Sequence, residues 1–262
     1  MTRRHLAFDC EGSRLVGTLD DAAGTSGLLL VSGGNEVRAG AWNGQALLAA
    51  RIAAEGFPVF RFDRRGVGDS EGGNGGFRTS APDIAAALAA FREACPQLTR
   101  AVALGNCDAA SALMLAQGAG CDALVLSNPW TIEESAGSGE EDSAPPAVVR
   151  DHYRRRLSDP RAILRLLSGK VSLGKLVGSL RDALRPAPPP GGLATDMAAG
   201  LAKFRGTVIF PVAERDRTAQ AFLAAWNRKD KRIRRCPDAT HSFVEGLARD
   251  WYAAQVLDVL RG

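Results

Sequence analysis

Apolar runs alternate with helical patterns along the first half of the chain, and this alternation limits the fold more than any other feature. Residues 28–31, 57–63, 100–106 and 122–129 are predicted strands, and residues 42–55, 83–94 and 109–117 are predicted helices. Apolar runs without polar alternation are typical of strands buried on both faces. Strands that alternate with helices form parallel sheets covered on both faces. The sequence therefore predicts an α/β protein with a mostly parallel, doubly wound sheet, preceded by a hairpin over residues 6–19.

The alternation stops after residue 130 and resumes near residue 201. The intervening residues 131–200 are first acidic and turn-rich, then basic with Leu, Ile and Val at helical spacings, and finally rich in proline. This pattern indicates an inserted segment. We predict a helical cap or lid over residues 131–200, inserted between a first core part, residues 1–130, and a second core part, residues 201–262, which supplies the last two strands and helices.

Composition excludes several classes of protein. The formal net charge of +4 is too small an excess of base to indicate nucleic-acid binding. The five cysteines are widely spaced without a C-x-x-C pair, which argues against a disulfide framework or a structural zinc site. Neither a secretory signal nor a run of about eighteen apolar residues is present. We expect a cytoplasmic protein without a transmembrane segment; its oligomeric state is left open.

Three chemically active side chains follow predicted strands. Cys107 follows residues 100–106, Asp216 follows the strand near residue 210, and His241 follows the last strand. The carboxyl ends of parallel strands meet at one edge of the sheet, where ligands bind. A thiol, an imidazole and a carboxylate form a nucleophile, a base and an orienting acid. We predict a catalytic triad of Cys107, His241 and Asp216, with Glu214 as the alternative acid.

The segment GNCDA, Gly105 to Ala109, has the pattern of a sharp strand-to-helix turn. Small residues two positions before and after Cys107 permit such a turn, and the start of a helix stabilises a thiolate. We predict oxyanion donors at the N–H of Asp108 and in the glycine-rich loop after the first long strand, at Gly34 with Asn35 behind it. The other interpretation of Cys107 is a buried, inert thiol, which we expect for Cys10, Cys95, Cys121 and Cys236.

Four segments resemble motifs of the α/β-hydrolase fold and occur in the chain order of that fold. GNCDA resembles the nucleophile elbow G-x-S-x-G, with Cys in place of Ser and Ala in place of the second Gly. FDRRGVGDS, AERDRTA and ATHSF resemble the loop after the fourth strand, the acid turn and the histidine loop. The resemblance covers nearly the whole chain. The glycines of residues 65–76 do not fit a dinucleotide-binding loop, so we predict a structural loop with local pairing of Asp63 and Arg64, and neither a cofactor nor a metal.

GNCDAAS, VSGGNEVRAG and the arginine-rich insertion are similar to the exosortase-A-system-associated hydrolases of Gram-negative bacteria. That resemblance implies a link to exopolysaccharide production. We predict a hydrolase that cleaves an ester or thioester through an acyl-cysteine intermediate, on a small-molecule, lipid-linked or sugar-linked acyl substrate. The alternatives are an acyltransferase with the same intermediate and a non-catalytic binding protein on a degenerate hydrolase fold. The basic insertion is compatible with a solvated surface or with peripheral membrane contact.

Overall fold

The computed structural model describes residues 2–132 and 192–262, which form one eight-stranded sheet flanked by helices. The strands are β1 Arg3–Cys10, β2 Ser13–Asp20, β3 Ser26–Val31, β4 Val59–Phe62, β5 Arg100–Asn106, β6 Ala123–Ser127, β7 Thr207–Ala213 and β8 Ile233–Cys236. The helices described are α1 Gly44–Ala54, α2 Ala81–Ala94, α3 Asp108–Leu115, α4 Gly192–Ala202, α5 Arg217–Ala225 and α6 Gly246–Arg261.

The sheet has the strand order β1-β2-β4-β3-β5-β6-β7-β8. The pairs from β4 through β3 to β8 are parallel, whereas β2 is antiparallel to both β1 and β4. The predicted hairpin is β1 and β2, and its turn uses left-handed backbone at Glu11 and Gly12. The predicted doubly wound, mostly parallel sheet is confirmed.

Side chains of the parallel strands alternate between two apolar layers, which explains the uninterrupted apolar runs. Leu29 and Val31 of β3 belong to the apolar layer that contains buried side chains of α2, α3, α4 and α5, whereas Leu28 and Leu30 belong to the layer that contains those of α1 and α6. Each of these four side chains is at most 1% exposed. Burial of one such side chain stabilises the fold by about 1.5–3 kcal/mol. The two layers cover both faces of the sheet.

The structure differs from the predicted division of the chain at the end of the insertion. Helix α4 begins at Gly192, inside the segment predicted as a lid, yet Leu193, Met197 and Leu201 are buried in the main core. A Cβ on Gly200 would lie 2.3 Å from the carbonyl oxygen of Met114, so α4 approaches α3 closely. Residues 192–200 therefore belong to the core. The rest of the predicted lid, residues 133–191, lies outside the described residues. None of the described helices is both long and apolar enough to span a membrane.

Candidate active site: a cysteine elbow with a paired histidine

Cys107 occupies a strained turn between β5 and α3. Its backbone has φ +61° and ψ −128°, a conformation that is rare for residues other than glycine. A Cβ on Gly105 would lie 2.6 Å from the carbonyl carbon of Ala109, so only glycine fits at that position. The N–H of Cys107 donates to the carbonyl of Ser127 at 3.0 Å, which ties the turn to β6. The turn presents a partly exposed thiol at the start of a helix.

His241 lies between the thiol and a carboxylate. Its Nδ1 is 2.9 Å from Oδ2 of Asp216, and its ring also hydrogen-bonds to the Cys107 side chain. Asp216 is the N-cap of α5, where Oδ2 accepts the N–H of Ala219 at 3.0 Å. The same carboxylate oxygen makes both contacts and Asp216 is only 9% exposed, so it fixes the orientation of the imidazole.

The electrostatic surroundings favour the charged form of His241. Hydrogen bonds from the imidazole to the Asp216 carboxylate and to the Cys107 side chain raise the pKa of His241 from 6.5 to about 10, against the opposing effect of burial. A protonated imidazole beside sulfur is the partner that stabilises a thiolate. The alternative acid, Glu214, faces away from this arrangement, since its Oε1 lies 3.1 Å from Nη1 of Arg235.

The two predicted oxyanion positions are in direct contact with each other. The N–H of Gly34 donates to Oδ1 of Asp108 at 2.7 Å, and Gly34 has a left-handed φ of +54°. The N–H of Asp108 is the first of α3 and has no acceptor within its own helix. Asn35 points elsewhere, because its side chain accepts a hydrogen bond from Asn74 at 2.7 Å. The structure thus brings Gly34 and Asp108 to the elbow but not the Asn35 side chain.

Buried charges after β4 hold the Gly34 loop in place. Arg64 is 4% exposed and donates from Nη2 to the carbonyl of Gly34. Asp63 accepts the N–H of Arg38 at 2.6 Å and pairs with its guanidinium. The predicted local pairing of Asp63 with Arg64 is therefore wrong. Both side chains reach across to residues 34–38, because two charges that lie in the interior need partners there.

Asn128, which the sequence predictions do not include, connects the segments that carry the candidate site. Its fully buried Nδ2 donates to Oδ1 of Asn106 and to the carbonyl of His241, both at 3.0 Å. Its Oδ1 accepts the N–H of Ala213 at 2.8 Å. One amide thus joins the elbow, the histidine loop and the end of β7. A signal was present in the sequence, since Asn128 directly follows β6 at the same edge as Cys107.

An apolar cavity of about 860 Å³ opens beside Cys107 and His241. It runs between α1 and the segment from His241 into α6. Its apolar lining is supplied by Trp42, Leu47, Leu48, Leu104, Phe243, Val244, Tyr252 and Ala253. Trp42 is 85% exposed and held by left-handed backbone at φ +56°, and Leu47 is 56% exposed. Folding alone does not explain such exposed apolar side chains, which are typical of a surface that contacts a ligand.

A family comparison agrees with this geometry. A family model described as "Alpha/beta hydrolase family" matches residues 28–255. The chain belongs to the alpha/beta hydrolase family. No curated protein matches it in a sequence comparison.

Solved structures with the same fold include an esterase, an alpha/beta hydrolase and a thioesterase domain. The Pyrococcus furiosus esterase Pf2001 is 14% identical, with 99% of this chain and 91% of that chain covered and a TM-score of 0.64. The alpha/beta hydrolase GrgF from Penicillium sp. sh18 is 17% identical, with coverage of 100% and 98% and a TM-score of 0.65. A thioesterase domain from the curacin biosynthetic pathway is 16% identical over both whole chains, with a TM-score of 0.56. At these identities the likeness shows a shared fold.

The cysteines of this alpha/beta hydrolase fall into two groups. Burial raises the pKa of the Cys10 and Cys95 thiols to about 11 and that of Cys121 to about 12, and burial also raises the pKa of Cys236. Cys107 is the more exposed thiol and the one in contact with a histidine. Within residues 2–132 and 192–262, no three His, Cys, Asp or Glu side chains converge as metal ligands do.

The raised pKa of His241 predicts a pH dependence of stability. An imidazole with a pKa near 6.5 when unfolded and about 10 when folded favours folding fully below pH 6.5, and this contribution is lost as the pH approaches 10. We expect the difference in free energy of unfolding between wild type and His241→Gln, from urea titrations, to be larger at pH 6 than at pH 10. His5→Gln, on the distant hairpin, is the control. An equal difference at both pH values contradicts this prediction.

Proposed function

We propose that this alpha/beta hydrolase cleaves ester or thioester bonds through an acyl-cysteine intermediate on Cys107. The observation that carries the proposal is the chain of contacts from the Cys107 thiol through the His241 ring to Asp216, at the mouth of an apolar cavity. A nucleophile in contact with a base, which is itself oriented by a buried acid, is the arrangement required for acyl transfer.

The acylation step uses the charged Cys107–His241 pair. The thiolate attacks the acyl carbonyl, a carbon–sulfur bond forms, and the carbonyl electron pair moves onto oxygen. The N–H of Asp108 is one donor for that oxyanion, and a second such donor contributes up to about 3–4 kcal/mol in the transition state. The tetrahedral species collapses, and the leaving alkoxide or thiolate takes the proton of His241.

Deacylation runs through the same groups. His241, now neutral, accepts a proton from water as the water oxygen attacks the thioester carbonyl. Collapse of this second tetrahedral species expels the Cys107 thiolate and releases a carboxylic acid, so the charged pair is restored. Asp216 remains ionised throughout and orients the imidazole in both steps.

The cavity supports an aliphatic acyl group as the buried part of the substrate. Leu47 and Leu48 of α1 and Phe243 and Val244 line the same cavity as Cys107. Burial of each methylene contributes about 0.8 kcal/mol, so a chain of several carbons gains substantial binding there. We therefore propose a medium-chain aliphatic acyl ester or thioester as the substrate class.

The finer assignment to exosortase-associated hydrolases is also a proposal, supported by the GNCDAAS and VSGGNEVRAG motifs. It places the protein in the cytoplasm of a bacterium that secretes exopolysaccharide, with residues 133–191 as a basic lid that can touch the membrane surface. Deletion of the gene, with measurement of secreted polysaccharide, tests this link; unchanged secretion rejects it.

Cys107 is expected to carry the acyl group. Incubation with an activated octanoyl ester should add one acyl mass to the wild type and none to Cys107→Ala, as measured by intact-protein and peptide mass spectrometry. Turnover in Cys107→Ala should fall by roughly a thousandfold or more, because the nucleophile is lost. Cys236→Ala, at a buried thiol, is the matched control. Absence of adduct with every acyl donor favours a binding protein, and turnover only with an added alcohol favours an acyltransferase.

Asp216, rather than Glu214, is expected to be the acid. Asp216→Asn keeps an oxygen that can cap α5 but no longer stabilises the protonated His241, so kcat should fall by about a hundredfold or more. Glu214→Gln breaks only the surface pair with Arg235 and should change kcat less than about threefold. Hydrolysis of an octanoyl ester measures both effects. The reverse order would assign the acid to Glu214.

The cavity is expected to set the preferred chain length. Gly44 lines the cavity with ordinary helical backbone, and a Cβ there meets nothing within 4 Å, so Gly44→Leu adds an apolar side chain at the cavity wall without strain. In wild type, kcat/KM should rise about fourfold per methylene from acetyl to hexanoyl esters, and in Gly44→Leu this rise should flatten. Gly246→Leu, at the equivalent open position of α6, is the control. An unchanged chain-length profile in Gly44→Leu excludes this cavity as the acyl site.

A further inference from the structure

The Asp108 carboxylate lies where the proposed reaction needs a free N–H group. Oδ1 of Asp108 accepts the N–H of Gly34 at 2.7 Å, although Asp108 directly follows the nucleophile in the chain. A carboxylate oxygen is itself an anionic acceptor, so it satisfies the donor that would otherwise bind the developing oxyanion.

The architecture of the loop explains why this contact forms. A Cβ on Gly33 would lie 2.6 Å from Oδ1 of Asp108 and 2.8 Å from the carbonyl oxygen of Asn106, so the absence of a side chain at residue 33 admits the carboxylate. On the other side of the loop, buried Arg64 holds the carbonyl of Gly34. The loop is therefore fixed from the interior, and rotation of the partly exposed Asp108 side chain is the simplest way to free the N–H.

Two negative oxygens cannot occupy the same donor. The oxyanion of a tetrahedral intermediate and the Asp108 carboxylate both require the Gly34 N–H, and they repel each other at short distance. Any acyl substrate must displace the carboxylate before the intermediate forms, and the apparent affinity falls by the fraction of molecules in which the N–H is free.

We propose that Asp108 is an internal competitor for the oxyanion site, which its carboxylate occupies in the free protein and leaves when substrate binds. This inference rests on the proposed acyl-cysteine chemistry. Every acyl substrate must displace the Asp108 carboxylate in the same way. Removal of the carboxylate should therefore increase kcat/KM by a common factor that does not depend on the length of the acyl chain. Asp108→Asn, whose amide oxygen is a weaker acceptor, should lie between wild type and Asp108→Ala.

The first test measures kcat/KM for acetyl and octanoyl esters. Asp108→Ala should raise kcat/KM by about tenfold for both esters, and Asp108→Asn by a smaller common factor, as expected for release of a charge-assisted hydrogen bond. Asp69→Asn removes an equal charge from a side chain that is 70% exposed and paired with Arg38, and it should change kcat/KM less than twofold. Equal gains in Asp69→Asn and Asp108→Ala would indicate a general charge effect and overturn the proposal.

A second measurement separates the oxyanion site from the thiol. An octyl trifluoromethyl ketone traps Cys107 as the sulfur–carbon bond forms and the ketone oxygen becomes an oxyanion, whereas iodoacetamide alkylates the thiol with loss of iodide and forms no oxyanion. In Asp108→Ala the inhibition constant of the ketone should fall about tenfold, while the iodoacetamide rate at Cys107 should change less than twofold. Thermal unfolding of each variant measures whether the loss of an acidic residue from the first turn of α3 lowers the stability of the fold.

The outcomes distinguish this inference from the proposed function. If the ketone inhibits wild type but binds Asp108→Ala no more tightly, or more weakly, Asp108 supports the loop and the inference is wrong. If alkylation of Cys107 accelerates as much as ketone binding improves, the carboxylate acts on the thiol and the inference is also wrong. If the ketone fails to inhibit wild type and iodoacetamide labels Cys107 no faster than the buried cysteines, the proposed acyl-cysteine chemistry itself fails.

Discussion

The left-handed backbone of Cys107 is the constraint on which the rest of the site depends. A residue with φ +61° and ψ −128° is disfavoured in an isolated chain, and the surrounding contacts must hold it. Gly105 permits the close approach of α3, and Ser127 accepts the N–H of Cys107. This geometry places the thiol beyond the end of β5, at the start of a helix and beside the His241 ring.

Asn128 shows how a loosely connected set of loops becomes one site. The elbow, the histidine loop and the end of β7 come from distant parts of the chain, yet a single buried amide bonds to Asn106, His241 and Ala213. Each polar atom of that amide is satisfied, and an unsatisfied one would destabilise the fold by about 1–3 kcal/mol. Positions of this kind keep reacting groups within hydrogen-bond reach without touching a substrate.

The loop that carries Gly34 is held by buried contacts on one side and by a partly exposed contact on the other. Arg64 and the Asp63–Arg38 pair lie largely in the interior and hold the loop rigidly. Asp108 contacts the same loop from the side of the candidate site, with a partly exposed side chain. Under the proposed mechanism, this acceptor distinguishes the site from an open oxyanion hole, because the Asp108 carboxylate must leave the Gly34 N–H before the tetrahedral intermediate forms.

The sequence by itself determined the class of fold and the chemical types at the sheet edge. Apolar runs without alternation indicate strands that are buried on both faces. The order of the parallel strands places the residues that follow β5, β7 and β8 at the same edge of the sheet. Tertiary structure decided which side chains meet. Asp216 rather than Glu214 faces His241, Arg64 reaches Gly34 rather than Asp63, and residues 192–200 pack on the core rather than in a lid. The physical reason is that the local sequence does not specify the direction in which a side chain points. Two carboxylates two positions apart, or a charge with several candidate partners, have the same local pattern, and only packing decides which contact forms.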